Sequence, residues 1–151
     1  MSDTPTYWMI VTSPQNFART RELGFTLQGI KSRHGKKAAK MQAGDRLLWY
    51  LTGIQSFAGT ATITGPAYED HTIVWTSKPG EDYPWRFPIR ADTILDADSA
   101  VKAADLLPGL GFVKKWPIEH WHLAFQGNVH TLPAADFDFI ERSLQTARAA
   151  A

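Results

Sequence analysis

The chain has 151 residues, of which 44% are hydrophobic and 12% aromatic, a globular composition that argues against disorder and for one domain over 1–151 with its core at about 6–146. Sixteen Lys and Arg stand against fifteen Asp and Glu, so the net charge of +1 excludes a wholly basic nucleic-acid coat but leaves room for a local basic site. There is no Cys, which removes disulfides, thiol catalysis, iron–sulfur clusters and cysteine zinc sites.

Tyr7 to Thr12 is apolar and β-branched and predicts a buried first strand. Ser13-Pro14 has the form of a helix cap followed by proline in the first turn, so a short helix to about Leu23 follows, with Phe17 and Leu23 facing inward and Gly24 ending it. Phe25 to Ile30 reads as extended or irregular, with Gly29 at a tight approach. Lys36 to Met41 suits one or two helical turns. Arg46 to Leu51 and Phe57 to Thr64 are strands joined through a turn at Gly53, and Gly65-Pro66 breaks the second. Thr72 to Thr76 has strand composition. Trp85 to Ile94 is a further strand, placed by Pro88 at an edge or a bulge. Ser99 to Leu107 reads as a short helix, His120 to Phe125 as a last strand, and Gly127-Asn128 as a turn. In Ala134 to Ala150, Phe137, Ile140 and Leu144 recur at the three- and four-residue spacing of an amphipathic helix. Five or six short strands, peripheral helices and no βαβ alternation point to an α+β fold built on a small, mostly antiparallel barrel.

No apolar run approaches the roughly 18 residues of a membrane span, and the N-terminus lacks the basic start and apolar middle of a secretion signal. A cytoplasmic protein with no membrane partner, monomeric or weakly dimeric, is the expectation. The charge is unevenly spread. Eight basic residues between Arg19 and Arg46 face only Glu22 and Asp45, while six acids between Glu81 and Asp105 face Arg86, Arg90 and Lys102. A dipolar surface follows, with a positive part suited to phosphates at Arg19, Lys31, Lys36, Lys37 and Lys40. A solvated helix face is the alternative.

The glycine-rich dinucleotide fingerprint, the phosphate-binding loop, the zinc-protease helix and the nucleophile elbow are all absent from the sequence, so neither an enzyme nor a cofactor is expected. His120 and His122 are the weak metal candidates: on a strand they would share one face, but no third ligand has a recognisable spacing. Four segments carry a binding reading instead. The strand end and helix start at Thr12, Ser13, Asn16 and Phe17 offers amides and hydroxyls to a base edge or a phosphate. Arg33 and His34 lie in the dense cationic run from Gly29 to Lys37, where a clamp and a stacking ring are both available. Trp49 and Tyr50 face oppositely on a strand, so one packs in the core and Tyr50 is preferred for the pocket. Trp85-Arg86 pairs an aromatic ring with a guanidinium. Aromatics interleaved with cations match the chemistry that holds a flipped or single-stranded base. A cleft between residues 12–17 and 83–86 is the expected site.

These segments also carry a resemblance. Tyr7-Trp8, Ser13-Pro14-Gln15-Asn16-Phe17, Gly29-Ile30 leading to Arg33-His34, Ala43 to Leu47 before Tyr50, Gly65-Pro66-Ala67-Tyr68, Tyr83-Pro84-Trp85-Arg86, Trp116, and Leu132-Pro133 with Asp136-Phe137 together resemble an EVE domain of the PUA-like superfamily. That family is related to the thymocyte nuclear protein and more distantly to the YTH readers of methylated RNA. The resemblance implies a distorted β-barrel with flanking helices. It also implies an aromatic-lined pocket beside a basic surface, reading a modified base in DNA or RNA. Carried over, it places Thr12, Ser13, Phe17, Arg33, His34, Tyr50, Trp85 and Arg86 around that pocket. Phe17 stands where the family often has Trp, which keeps a stacking face and loses the indole donor. The expected partner is thus a nucleic acid with a modified base. A sensor of a nucleobase-like or anionic small molecule is the alternative, and a metal-assisted hydrolase at His120 and His122 the third reading.

Overall fold

The computed structural model describes residues 4–150. Its elements run β1 (Tyr7–Thr12), α1 (Pro14–Glu22), β2 (Leu27–Ile30), α2 (Gly35–Ala38), β3 (Arg46–Leu51), β4 (Ser56–Ile63), β5 (Tyr68–Glu69), β6 (Trp85–Ile94), β7 (Val101–Lys102), β8 (Val129–Leu132) and α3 (Ala134–Ala150). Short 3₁₀ turns fill much of the remainder. The strands join in the order β2-β6-β4-β3-β1-β8, with β5 added to β6 and β7 to β4. Five or six strands were expected, and six form the main path. All neighbours are antiparallel except β1 and β3, which run parallel from Tyr7↔Arg46 to Thr12↔Leu51.

Alternation along these strands divides two cores between the faces of the curled sheet. Trp8 and Ile10 of β1 join Leu47, Trp49 and Leu51 of β3 and Phe17 of α1 inside the curl. Met9 and Val11 point the other way with Leu48 and Tyr50, and are covered by Phe137, Ile140 and Leu144 of α3. A sheet buried on both faces explains why β1 and β3 are nearly continuous apolar runs.

The sheet does not close by strand pairing. Its two edges, β2 and β8, are instead bridged at Asn128, whose Oδ1 accepts the Lys31 N–H at 3.0 Å while its Nδ2 donates to the Val11 carbonyl at 3.2 Å. Lys37 adds a bond from Nζ to the Val129 carbonyl at 2.8 Å.

Four expectations are corrected. Thr72 to Thr76 forms no strand: Ile73 is 82% exposed, only Trp75 turns inward, and side chains rather than a ladder satisfy part of its backbone. Residues 99–107 form no continuous helix but short 3₁₀ turns broken by β7, because Val101–Lys102 pairs with Ser56–Phe57 just beyond the reach of β6 on β4. β6 is interior rather than an edge. Pro88 sits where it passes from pairing with β2 over 85–88 to pairing with β4 over 89–94, and the bulge falls at Asp92. His120 to Phe125 belongs to a kinked 3₁₀ segment, Ile118–Phe125, because Trp121, Ala124 and Phe125 pack on the outer core at helical spacing. The shared strand face assumed for His120 and His122 is therefore lost. Among the described residues, no group of three or more His, Asp or Glu is arranged to hold a metal. None of their helices is long and apolar enough to cross a membrane.

Candidate functional site

The parallel pair places two strand ends side by side, with Thr52 N–H donating to the Thr12 carbonyl at 2.8 Å. The chain leaves β1 directly into α1. Ser13 caps that helix in extended conformation, its Oγ accepting the Asn16 N–H at 3.1 Å and its carbonyl accepting the Phe17 N–H at 2.9 Å. Pro14 has no N–H, so the Gln15 N–H is the first-turn donor that the cap does not engage. The open seam at Asn128 lies alongside. Strand ends, helix start and seam enclose a cavity of about 550 Å³, lined by Thr12, Ser13, Gln15 and Asn16, by Arg19 and Lys31, by Thr52, Thr76 and Ser77, and by Tyr83 with Gly127 and Asn128.

The Thr12 residue is 8% exposed, and its hydroxyl has no hydrogen-bond partner in the protein. A hydroxyl on a cavity wall that makes no bond within the protein is an available donor and acceptor. Tyr83 supplies the single aromatic wall, and the Lys31 ammonium lies 5.9 Å from its ring centre. Lys31 also meets Glu81 at 3.4 Å.

The sequence-predicted residues divide sharply. Thr12, Ser13 and Asn16 line the cavity, and so do Arg19 and Lys31 from the phosphate group. Phe17 is buried edge-on against Trp49, 5.6 Å between ring centres. Tyr50 turns to the outer core, stacked on Phe125 at 4.3 Å, where burial pushes its phenol up to about 12. Thus Trp49 and Tyr50 both pack in cores, one on each face, which corrects the preference for Tyr50 in the pocket. Arg86 is 2% exposed and lies 5.2 Å from the Trp75 ring. It donates to the Thr72 and Tyr83 carbonyls, the latter at 3.1 Å. Trp85 stands half-buried outside the cavity, its indole N–H on the Ser32 carbonyl at 2.9 Å and its ring against Gly35. His34 also lies outside; burial first, then Lys37 and Arg33, lowers its pKa to about 4, so it is neutral at pH 7. Arg33 extends toward Glu81 at 3.9 Å, Lys37 is engaged with Val129, and Lys36 and Lys40 are exposed.

The expected dipolar surface is largely cancelled. Lys31 and Arg33 share Glu81, Arg21 meets Asp96 at 3.1 Å, and Arg46 binds Asp92 at 2.9 Å and also Glu141. The basic run and the acidic run fold onto each other.

Sequence reasoning missed Gln15, Thr52, Thr76, Ser77, Tyr83, Gly127 and Asn128. Tyr83 lies in the segment 83–86, where the larger ring of Trp85 is the stronger stacking candidate by composition. Thr52 and Asn128 were legible only through the parallel pairing and the seam, which no local pattern announces.

The EVE domain family model matches residues 6–142. No curated protein matches the chain. Among solved structures, it is similar to the Mmi1 YTH domain with a TM-score of 0.70 at 8% identity, over 100% of this chain and 81% of that one. The YTH domain of the Zygosaccharomyces rouxii MRB1 protein, solved in complex with N6-methyladenosine RNA, has a TM-score of 0.66 at 15% identity, covering 95% and 87%. Rpa0253 from Rhodopseudomonas palustris has a TM-score of 0.59 at 18% identity, covering 93% and 94%.

Proposed function

The chain belongs to the EVE domain family, and from that membership we propose that it is a non-enzymatic binding module that accepts a modified nucleobase of DNA or RNA in the cavity at the start of α1. One observation carries this reading: Thr12, at the junction of β1 and α1, lines a cavity that also holds an aromatic ring, Tyr83, and a cation, Lys31. An extruded base brings the complementary features, namely a flat face for the ring, donors and acceptors along its edge, and a phosphate for the cation. The cavity of about 550 Å³ is large enough for a nucleoside. The likeness to a YTH domain solved with N6-methyladenosine RNA supports the same class of ligand.

Fluorescence anisotropy with labelled oligonucleotides tests this. DNA and RNA strands carrying one modified base are compared with the unmodified strands at two salt concentrations. The expected result is salt-weakened binding with a clear preference for at least one modified strand. Equal binding across the panel removes the selectivity. Thermal stabilisation by nucleosides or small anions, with no binding to any strand, favours the small-molecule sensor.

A further inference from the structure

Thr76 and Ser77 line two cavities at once, and no other residue is shared between them. Toward α1 lies the main pocket of about 550 Å³. Behind them, inside the loop that returns from Thr72 to Asp82, lies a second space of about 290 Å³ bounded also by Ile73, Pro79 and Arg86. These two residues are therefore a partition one chain thick. No strand ladder holds it, so its position is set by what grips the loop.

Two grips act away from Thr76. Trp75 is 3% exposed, donates from its indole to Thr20 Oγ1 at 2.9 Å, and lies so close to Gly29 that a Cβ there would fall 2.5 Å from the ring. Arg86 holds the Thr72 carbonyl. The third grip comes from the pocket side and takes hold of Thr76 itself. Asn16 Nδ2 donates to the Thr76 carbonyl at 2.9 Å, and Asn16 Oδ1 accepts the Thr76 N–H at 3.0 Å. Asn16 is 5% exposed, and both ends of its amide are committed to this one backbone unit. Such a two-point bond fixes direction as well as distance.

We propose that Asn16 is a positioning residue that sets the size of ligand the pocket accepts: it pins Thr76–Ser77 as the partition and leaves reading of the base to its neighbours. The proposal rests on the cavity being the ligand site. With the clamp released, the partition can move into the space behind it, and a bulkier substituent then fits.

The test uses the full chain and strands carrying one base with no substituent, a methyl group or a benzyl group, read by anisotropy. Wild type is expected to disfavour the benzyl strand against the methyl strand by about tenfold or more. Asn16→Ala brings that ratio close to one. Asn16→Asp, which keeps the acceptor and loses the donor, falls between, and Trp75→Phe, which removes the bond to Thr20, shifts the ratio in the same direction. Faster hydrogen exchange at the Thr76 amide in ligand-free N16A accompanies the change. An unchanged ratio in N16A overturns the proposal, as does equal weakening for both strands, which marks a direct ligand contact. Unchanged Thr76 protection does so too. Should N16A fail to fold, N16D and W75F decide. A wild type that binds no strand removes the base-binding reading and this proposal together. A wild type that binds and an N16A protein that keeps the ratio remove this proposal alone.

Discussion

Six Trp in a chain of this size invite a stacking role for each, yet the indole N–H groups show how differently they are used. Trp8 donates to Asp45 Oδ2 at 3.0 Å and Trp49 to Gln28 Oε1 at 2.8 Å, so both are bound into the inner core by a polar partner. Trp75 is spent on the loop at 72–77, and Trp85 on the turn at Ser32. None of these four indoles donates into the candidate site, where Thr12 brings a hydroxyl with no protein partner to the cavity wall, and Thr12→Val tests that group by itself. Valine keeps the shape and removes only the unpartnered group, so folding stability is expected to stay within about 0.5 kcal/mol of wild type by urea unfolding. Oligonucleotide affinity is expected to fall by about three- to tenfold, the worth of one neutral hydrogen bond. A loss of stability with unchanged affinity would make Thr12 a core residue instead.

The elements nearest the pocket separate what local pattern encodes from what it does not. β1, β3, β6 and α3 begin and end where the sequence predicts, because β1 and β3 are compact apolar runs and β6 and α3 carry a period of two and of three-to-four. The loop from Tyr68 to Asp82 follows no such period, since its order comes from Asn16, Arg86 and Trp75 acting from outside or across it. The site was legible in the same proportion: Thr12, Ser13 and Asn16 belong to a strand-to-cap junction, whereas Thr52 and Asn128 reach the pocket only through distant pairing. The loop is further tied at His71, whose Nε2 meets Glu69 at 2.7 Å and whose Nδ1 meets Asp82. The Glu69 bond first, then that to Asp82, raises the imidazole above its ordinary pKa. A raised folded pKa means the contact is complete below about pH 6.5 and is lost as pH rises through the folded value. The ring is exposed, so the effect is local rather than global. An NMR titration is expected to show His71 protonating above pH 6.5 and the loop amides shifting with it, and His71→Asn is expected to abolish that shift. A midpoint at or below 6.5 would show that the two carboxylates do not hold the ring in solution.

At the scale of the whole molecule, folding hides charge that the linear sequence displays. The excess of basic residues between Arg19 and Arg46 would by itself promise a steep electrostatic dependence of nucleic-acid binding. Four of those residues, Arg21, Lys31, Arg33 and Arg46, instead meet acids of the run between Glu81 and Asp105. Lys36 and Lys40 are left exposed without an ion pair, and two phosphate contacts give a slope of log affinity against log salt of about −1.5 to −2. Glu81 is the hinge of this balance, because one carboxylate holds two cations beside the pocket, Lys31 at 3.4 Å and Arg33 at 3.9 Å. Glu81→Gln keeps the volume and frees both. Affinity for DNA or RNA strands is then expected to rise at low salt, with the slope steepening to about −3, while the ratio between modified and unmodified strands stays fixed because phosphates carry no base identity. Isothermal titration across a salt series measures both quantities. An unchanged slope would place the phosphate path elsewhere on the surface. A changed ratio would mean that Lys31 touches the base as well as the backbone, which its position over Tyr83 makes geometrically accessible.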